Sequence, residues 1–276
     1  MMNLLYINWE PNVEIFNFWG LSIRYYGLFF MIGLILGNEV VKYYYRKEYK
    51  GNNNLDKLFI YILFGTIIGA RLGHCLFYEP EYFLKHPIEM FLPVQKDFFG
   101  TYKFVGYSGL ASHGGGIGVL IAIFLFSLKY KQNIWFILDK VALAVPLVGA
   151  FIRLGNLMNS EIIGKSSNLP WAFIFRNIDN IPRHPSQLYE AVFYFFIFLI
   201  LNIIYPKIKV GQGFIFGMFL VMLFSMRFLI EFTKENQVNF ENDLFINMGQ
   251  ILSIPFILIG FLLMYKFKRR VTQRYN

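Results

Sequence analysis

The chain repeats one pattern seven times: a long run of mainly apolar positions is followed by a more polar segment. A helix that crosses the hydrocarbon core of a bilayer needs about 20 mostly apolar residues. The pattern therefore predicts an all-α membrane protein that forms a single polytopic domain over residues 1–276. Its seven predicted transmembrane helices lie at about 20–41, 58–78, 113–128, 134–158, 188–205, 212–232 and 247–265.

The composition agrees with this prediction. The chain is 56% hydrophobic and 16% charged, whereas about 25% of the residues in a soluble domain are charged. A soluble enzyme is therefore disfavoured, and the 20% of aromatic residues argues against a disordered chain. Cys75 is the one cysteine, which excludes an intrachain disulfide framework. With four histidines there is little scope for a histidine-rich metal site, so no metal is expected.

The net charge of +9 would suggest a nucleic-acid partner in a soluble protein. Here the Lys and Arg residues are distributed unevenly between alternate loops, with 14 in one set and seven in the other. The richer set is cytoplasmic by the positive-inside rule. This predicts an outer N-terminus, a cytoplasmic C-terminus and no nucleic-acid partner. The long segments 1–19, 79–112 and 159–187 then lie on the outer face, where a site has room to form.

Four arginines lie near the predicted outer ends of four different spans. A charge at mid-bilayer costs at least about 2.5–3.5 kcal/mol, so such residues usually pair or line a polar cavity. Guanidinium groups stay charged and bind phosphate with two parallel hydrogen bonds. The set therefore favours a phosphate-bearing ligand at headgroup depth, although Arg227 and Glu231 could form a structural i,i+4 pair. The four are Arg24, Arg71, Arg153 and Arg227.

Three further charges, Glu39, Asp139 and Lys140, fall inside spans near their predicted cytoplasmic ends. Side chains in such places can extend towards the membrane surface and keep their charge in water. We expect them to snorkel in this way or simply to sit at the helix ends, with no functional role.

A glycine cluster follows His113, in the sequence Ser112-His113-Gly114-Gly115-Gly116-Ile117-Gly118. Glycines allow a backbone to approach a ligand closely, and the free N–H groups of a helix start attract anions. Glycines also let two membrane helices pack closely, with the histidine at their interface. The residues alone favour neither interpretation.

Two polar segments adjoin the spans on the predicted outer face. In the first segment, Arg153 and Asn156 share a helix face. This segment reads Arg153-Leu154-Gly155-Asn156-Leu157-Met158-Asn159-Ser160-Glu161-Ile162-Ile163-Gly164. In Arg183-His184-Pro185-Ser186-Gln187-Leu188-Tyr189-Glu190, Ser186 can cap the following helix and Glu190 can complement its dipole. The first segment favours a functional site, and the second is typical of a structural helix start.

A transporter or channel for an anionic solute would share the buried arginines and the glycine-rich segment. It predicts a repeat between the two halves of the chain, and spans 1–3 share no obvious motif with spans 5–7. A purely structural membrane protein would not need arginines gathered at one depth.

Taken in order, the motifs resemble those of the bacterial prolipoprotein diacylglyceryl transferase family over roughly residues 20–265. The resemblance includes both segments above, the glycine motif after His113, and the Arg227/Glu231 pair. It also includes Tyr26-Gly27 in the first span and Met248-Gly249-Gln250 at the start of the last.

The resemblance implies an enzyme of the bacterial inner membrane with its active site towards the outer leaflet. It would transfer the diacylglyceryl group of phosphatidylglycerol to the lipobox cysteine of a prolipoprotein signal peptide, and glycerol 1-phosphate would leave. The implied partners are the lipid, the signal peptide and the bilayer, with no cofactor. The predicted substrate-binding residues are Tyr26, Arg71, Gly114, Gly115, Asn156, Glu161, Gly164 and Glu231.

The predicted catalytic residues are His113, Arg153 and Arg227. Histidine titrates near neutral pH and is the natural base for a thiol, so His113 is the first choice and His184 the second. The two arginines would hold the phosphate while its charge grows. Alternatively, Arg153 itself lowers the pKa of the thiol, and His113 orients the substrate.

Overall fold

The computed structural model describes residues 6–18, 21–48, 54–92, 94–97, 100–104, 109–235 and 246–268. The chain divides into two compact units. One comprises Met1–Glu48 and Leu138–Asn276, and the other comprises Tyr49–Ile137. We call them the large unit and the small unit and describe each by itself. The prediction of a single domain stays a prediction.

Within the described residues, seven helices are long and apolar enough to cross a membrane, which confirms the predicted number. The fourth predicted span has the observed bounds, and the others differ by a few residues at one or both ends. The seven helices are α1 (Tyr25–Glu48), α2 (Leu55–Phe77), α5 (Ser112–Tyr130), α6 (Ile134–Met158), α7 (Ser186–Ile204), α8 (Phe214–Ile230) and α9 (Met248–Phe267).

The first helix differs most from its prediction. Residue 20, where that span was predicted to begin, lies outside the described residues. The hairpin of β2 (Glu14–Phe18) and β3 (Leu21–Arg24) precedes α1, so Arg24 lies in a strand. Its side chain is 60% exposed and approaches Glu14 at 3.9 Å. The prediction that Arg24 lies inside the first span is therefore wrong, because its backbone pairs with that of Glu14 in the hairpin and the helix begins one residue later.

The small unit is built around the contact between α2 and α5. Two short helices, α3 (Pro80–Phe83) and α4 (Pro87–Phe91), follow α2. The antiparallel pair of β4 (Val94–Lys96) and β5 (Tyr102–Phe104) comes next.

Glycines bring the backbones of α2 and α5 together. A Cβ atom added to Gly114 would lie 2.3 Å from the carbonyl oxygen of Gly69, and one added to Gly118 would lie 2.0 Å from that of Gly65. Backbone contact of this kind needs small residues on both helices. The structure thus gives Gly114 a helix-packing role, one of the two interpretations of the glycine motif.

The large unit packs α1, α6, α7, α8 and α9 around an apolar core in which Leu143, Leu201 and Ile215 are fully buried. At the end of the unit where α6 ends and α7 begins, β1 (Ile7–Trp9) runs parallel to β6 (Phe173–Phe175). The strand β7 (Pro182–Arg183) pairs antiparallel with β6. The indole N–H of Trp9 donates to the Leu157 carbonyl, which ties this sheet to the last turn of α6.

Two charges near the start of α6 are buried and paired. The carboxylate of Asp139 accepts hydrogen bonds from the backbone N–H groups of Gly213 (2.7 Å) and Phe216 (2.8 Å), and so satisfies free donors at the start of α8. Lys140 pairs with Glu48 at 2.6 Å. The side chains of Asp139 and Lys140 are buried, so the snorkelling alternative is wrong for these two residues. Both do lie near the start of α6, as the other alternative expected. The Glu39 side chain is exposed.

A pair of glycine substitutions tests the packing of α2 on α5. Gly114→Ala should destabilise the protein by about 1–3 kcal/mol, because its methyl group would overlap the backbone of α2. Gly116→Ala is the control on the same helix, since nothing lies within 4 Å of a Cβ atom there. Thermal unfolding in detergent measures both. Equal stability of the two variants would contradict the packing role.

Candidate functional site: a buried ion network in the large unit

The centre of the polar cluster in the large unit is the carboxylate of Glu190, in the second turn of α7. Its side chain is completely buried. One carboxylate oxygen, Oε2, lies 3.0 Å from Arg153 Nε. The other, Oε1, accepts a hydrogen bond from Lys234 Nζ at 3.1 Å and one from the Tyr194 hydroxyl at 3.4 Å. Buried charge is tolerated when it is paired in this way.

A chain of hydrogen bonds leads from Arg153 to the segment after α6. Arg153 Nη1 donates to Asn156 Oδ1 at 3.2 Å, which confirms that these two residues share a helix face. The Asn156 side-chain amide then donates to one oxygen of Glu161, and the Asn159 amide donates to the other, each at 2.9 Å. Glu161 is itself exposed, so the chain connects a buried guanidinium to the surface of the unit.

Tyr26 belongs to the same cluster. It lies in the first turn of α1, half-buried, and interacts electrostatically with Glu161 and Arg153. Its ring packs on Gly155, where a Cβ atom would lie 2.8 Å from Tyr26 Cδ2. Glycine at position 155 therefore sets how closely α1 and α6 approach each other at the site.

Lys234 joins the carboxylates of two elements. Its ammonium group lies 3.0 Å from Glu231 Oε2 and 3.1 Å from Glu190 Oε1. Within the described residues Glu231 thus pairs with Lys234, and the ion pair between Arg227 and Glu231 that their spacing suggested does not form. Arg227 instead contributes to the electrostatic environment of Glu190.

The start of α9 packs against the Glu231 carboxylate. A Cβ atom at Gly249 would lie 2.4 Å from the carboxyl carbon of Glu231. Asn247 donates to the backbone carbonyl of Glu231 at 3.3 Å, and it also forms a capping box with Gln250. The Met248-Gly249-Gln250 motif therefore supports the ion network.

Gly164 lies where three segments meet. Its N–H donates to the His184 carbonyl at 3.1 Å, and its own carbonyl accepts from Arg183 Nη1 at 3.2 Å. It also forms an isolated β-bridge with Lys234. A Cβ atom there would lie 2.4 Å from the His184 carbonyl oxygen, so only glycine fits. The bridge between Gly164 and Lys234 positions the lysine and gives Gly164 a structural role.

The segment before α7 differs in detail from its prediction. Ser186 is the first residue of α7, the capping position is Pro185, and the Ser186 hydroxyl contacts Thr233. The predicted serine cap is therefore wrong, because the chain reaches the helix through a proline. His184 Nδ1 lies 3.3 Å from the Tyr189 hydroxyl, and burial lowers the pKa of His184. Burial therefore favours the neutral form of its imidazole.

The small unit holds four of the predicted site residues. Arg71 donates to the backbone carbonyls of Met90 (3.2 Å) and Glu89 (2.6 Å), so its guanidinium anchors α4. His113 is the second residue of α5 and its side chain is exposed. Gly114 packs on α2, as described above. A Cβ atom at Gly115 would make ordinary contact, 3.5 Å from that of Ala70.

Sequence reasoning missed the part that Glu190 and Lys234 play. The sequence alone explains Glu190 as a carboxylate that complements a helix dipole and Lys234 as a charge in a loop. A signal for Lys234 exists, because Arg227, Glu231 and Lys234 recur at i, i+4 and i+7, the spacing of one helix face. For Glu190 the signal is its position inside the predicted span 188–205, where a carboxylate usually pairs, but its partners lie on other helices and could not be named from the sequence.

Seven apolar helices, with arginine, lysine and carboxylate side chains paired at the ends of several of them, define a multi-pass membrane protein with a polar site in its helix bundle. The family model described as prolipoprotein diacylglyceryl transferase matches residues 13–266. The chain belongs to this family, which confirms the resemblance seen in its motifs.

Several relatives are similar along almost their whole length, and each is named phosphatidylglycerol–prolipoprotein diacylglyceryl transferase. The protein from Bacteroides fragilis is 51% identical over 97% of both chains. That from Tolumonas auensis is 44% identical over 93% of this chain and 95% of its own. That from Porphyromonas gingivalis is 38% identical over 98% of both.

Proposed function

We propose that this chain transfers the diacylglyceryl group of phosphatidylglycerol to the lipobox cysteine thiol of a prolipoprotein and releases glycerol 1-phosphate. The observation that carries the proposal is the 51% identity, over 97% of both chains, to a relative whose name contains that lipid and that protein substrate. The ion network supports it, because a phosphodiester substrate needs fixed cationic groups.

The reaction breaks one C–O bond and forms one C–S bond. The thiolate attacks the glycerol carbon that carries the phosphate, and the oxygen of that bond leaves with the electron pair as part of glycerol 1-phosphate. A free cysteine thiol has a pKa of about 8.5, so most of it is protonated at neutral pH. The enzyme therefore gains from a group that removes the thiol proton and from cations that stabilise the leaving phosphate.

We assign the phosphate to Arg153 and Arg227. Arg153 is held by Glu190 at Nε and by Asn156 at Nη1, which fixes the plane of its guanidinium before a substrate arrives. Such preorganised donors stabilise developing charge without having to reorient during the reaction. Tyr26, which interacts electrostatically with Arg153, and Glu161, which is linked to Arg153 through Asn156, are assigned to the lipid headgroup.

We assign the thiol proton to His113, an exposed imidazole at the start of α5. The alternative is that an arginine lowers the pKa of the thiol and that His113 orients the substrate. Arg71, Gly114 and Gly115 are retained as substrate-binding residues only through the family resemblance, because the contacts of Arg71 and Gly114 already explain a structural role.

The first test uses purified protein in detergent with phosphatidylglycerol and a lipobox peptide. We expect equimolar glycerol 1-phosphate and lipidated peptide, measured by mass spectrometry. Arg153→Gln should lower kcat by about 10²–10³-fold, the usual cost of removing a donor to developing charge. Arg176→Gln, which changes an exposed arginine bonded to Asn8 and Asn180, is the control and should keep its activity. Folded wild-type protein without product would refute the proposed function.

The second test separates the two roles of His113. If it is the base, His113→Gln should lose about 10²–10⁴-fold at neutral pH and recover as the pH rises towards the thiol pKa of about 8.5. If it only orients the substrate, the loss should be the same at every pH. His86→Gln serves as a control for the loss of an imidazole elsewhere in the small unit.

We also propose that the chain lies in the bacterial inner membrane with its N-terminus outside, its C-terminus in the cytoplasm and its site towards the outer leaflet. The support is the distribution of Lys and Arg between alternate loops. A reporter that works only in the cytoplasm should be active when fused after residue 276, and a reporter that works only in the periplasm should be inactive there. A C-terminal reporter active in the periplasm would reverse the proposed orientation.

A further inference from the structure

Lys234 is an unusual residue for a loop between membrane helices. It comes directly after the short turn Glu231–Thr233 that follows α8, yet its side chain is only 3% exposed. A loop lysine normally keeps its strongly hydrated ammonium group in water. Here that group lies between the carboxylates of Glu190 and Glu231, at 3.1 and 3.0 Å.

The contact between Glu190 and Arg153 is an ion pair without a directed hydrogen bond. Arg153 Nε is 3.0 Å from Glu190 Oε2, but among the described residues this oxygen accepts no directed hydrogen bond. The pair is therefore held by charge, and it lacks the two parallel hydrogen bonds that an arginine and a carboxylate often form. Glu190 contacts the guanidinium at Nε, and Asn156 orients it through the hydrogen bond from Nη1.

These contacts form one continuous series across three helices. Arg153 extends from α6, Glu190 from α7, and Glu231 and Lys234 from the end of α8. Glu190 and Lys234 each contact two opposite charges. Loss of the Glu190 charge would take from Arg153 its acidic partner in the series, and loss of the Lys234 charge would leave Glu190 with Arg153 alone. The position of the Arg153 guanidinium thus depends on Glu190, and that of Glu190 depends on Lys234.

We propose that Glu190 and Lys234 are positioning residues for diacylglyceryl transfer. Glu190 holds the Arg153 guanidinium in the orientation that receives the lipid phosphate, and Lys234 holds Glu190 by sharing its charge with Glu231. The inference rests on the proposed function. It adds two residues that act through Arg153 and contact neither the lipid nor the thiol.

Steady-state kinetics with both substrates varied provides the test. Glu190→Gln keeps the size of the side chain and removes its charge, so it should lower kcat/KM for phosphatidylglycerol by about tenfold to 10²-fold, as small displacements of reacting groups do. The KM for the lipobox peptide should not change. Glu39→Gln, at an exposed carboxylate paired with Lys42 on α1, is the matched control.

The position of Lys234 in the series is tested by rescue and by a double variant. Lys234→Met should reduce the same parameter, and Lys234→Arg, which keeps the charge, should recover most of it. If Lys234 acts through Glu190, the variant Glu190→Gln/Lys234→Met should be no worse than the poorer single variant. Losses that multiply in the double variant would overturn the series.

Folding and the proposed function are separated as follows. Thermal unfolding in detergent confirms that each variant is folded. If Glu190→Gln does not fold, Glu190→Asp keeps the charge, shortens the side chain and should show the same selective loss for the lipid. A folded Glu190 variant with unchanged kcat/KM for phosphatidylglycerol, or with a raised KM for the lipobox peptide, would overturn the inference. Absence of product from the wild-type protein would instead refute the proposed function.

Discussion

The large unit depends on one constraint: a charge placed in an apolar helix bundle must find an opposite charge there. Arg153 pairs with Glu190, and Glu190 pairs with both Arg153 and Lys234. These contacts join the end of α6 to the start of α7 and the end of α8. Hydrophobic contact is non-directional and can be shared among many neighbours, whereas an ion pair specifies which side chains face each other. The register of these helices at this end therefore follows from the charges.

Glycines complement the ion pairs by setting how closely the elements approach. Tyr26 can lie on α6 because residue 155 is glycine, and the Glu231 carboxylate can lie on α9 because residue 249 is glycine. Gly164 similarly admits the His184 backbone. In each case a methyl group would occupy the volume of the polar group or chain segment that the site needs. The small residues of the motifs are therefore as important to the geometry as the charged ones.

Much of the fold could be predicted from the sequence because its signals are local. Apolar length alone gives the seven spans, and helical spacing places Arg153 and Asn156 on one face. The errors have non-local causes. Arg24 lies in a strand because Glu14–Phe18 pairs with its segment, and no pattern within the span reveals that pairing.

The ion network was only partly predictable for the same reason. The arginine was evident as a charge inside a span, but its partner could be any carboxylate in the chain. Glu190 and Lys234 are separated by 44 residues and meet only after α7 and α8 have packed. A helix-start carboxylate and a loop lysine each have an ordinary local explanation, so proximity in the folded chain is the information that the sequence does not contain.

The carboxylate of Asp139 has a consequence for how the protein is made. Its two hydrogen-bond donors, the N–H groups of Gly213 and Phe216, are synthesised more than 70 residues later. Since a chain leaves the ribosome from its N-terminus, α6 is complete before either donor exists. Arg153 likewise is synthesised before its partner Glu190. The polar groups of α6 must therefore spend the interval in water, in lipid headgroups or with an insertion factor. In this protein α6 can settle into its final position only after α7 and the start of α8 have followed it into the membrane.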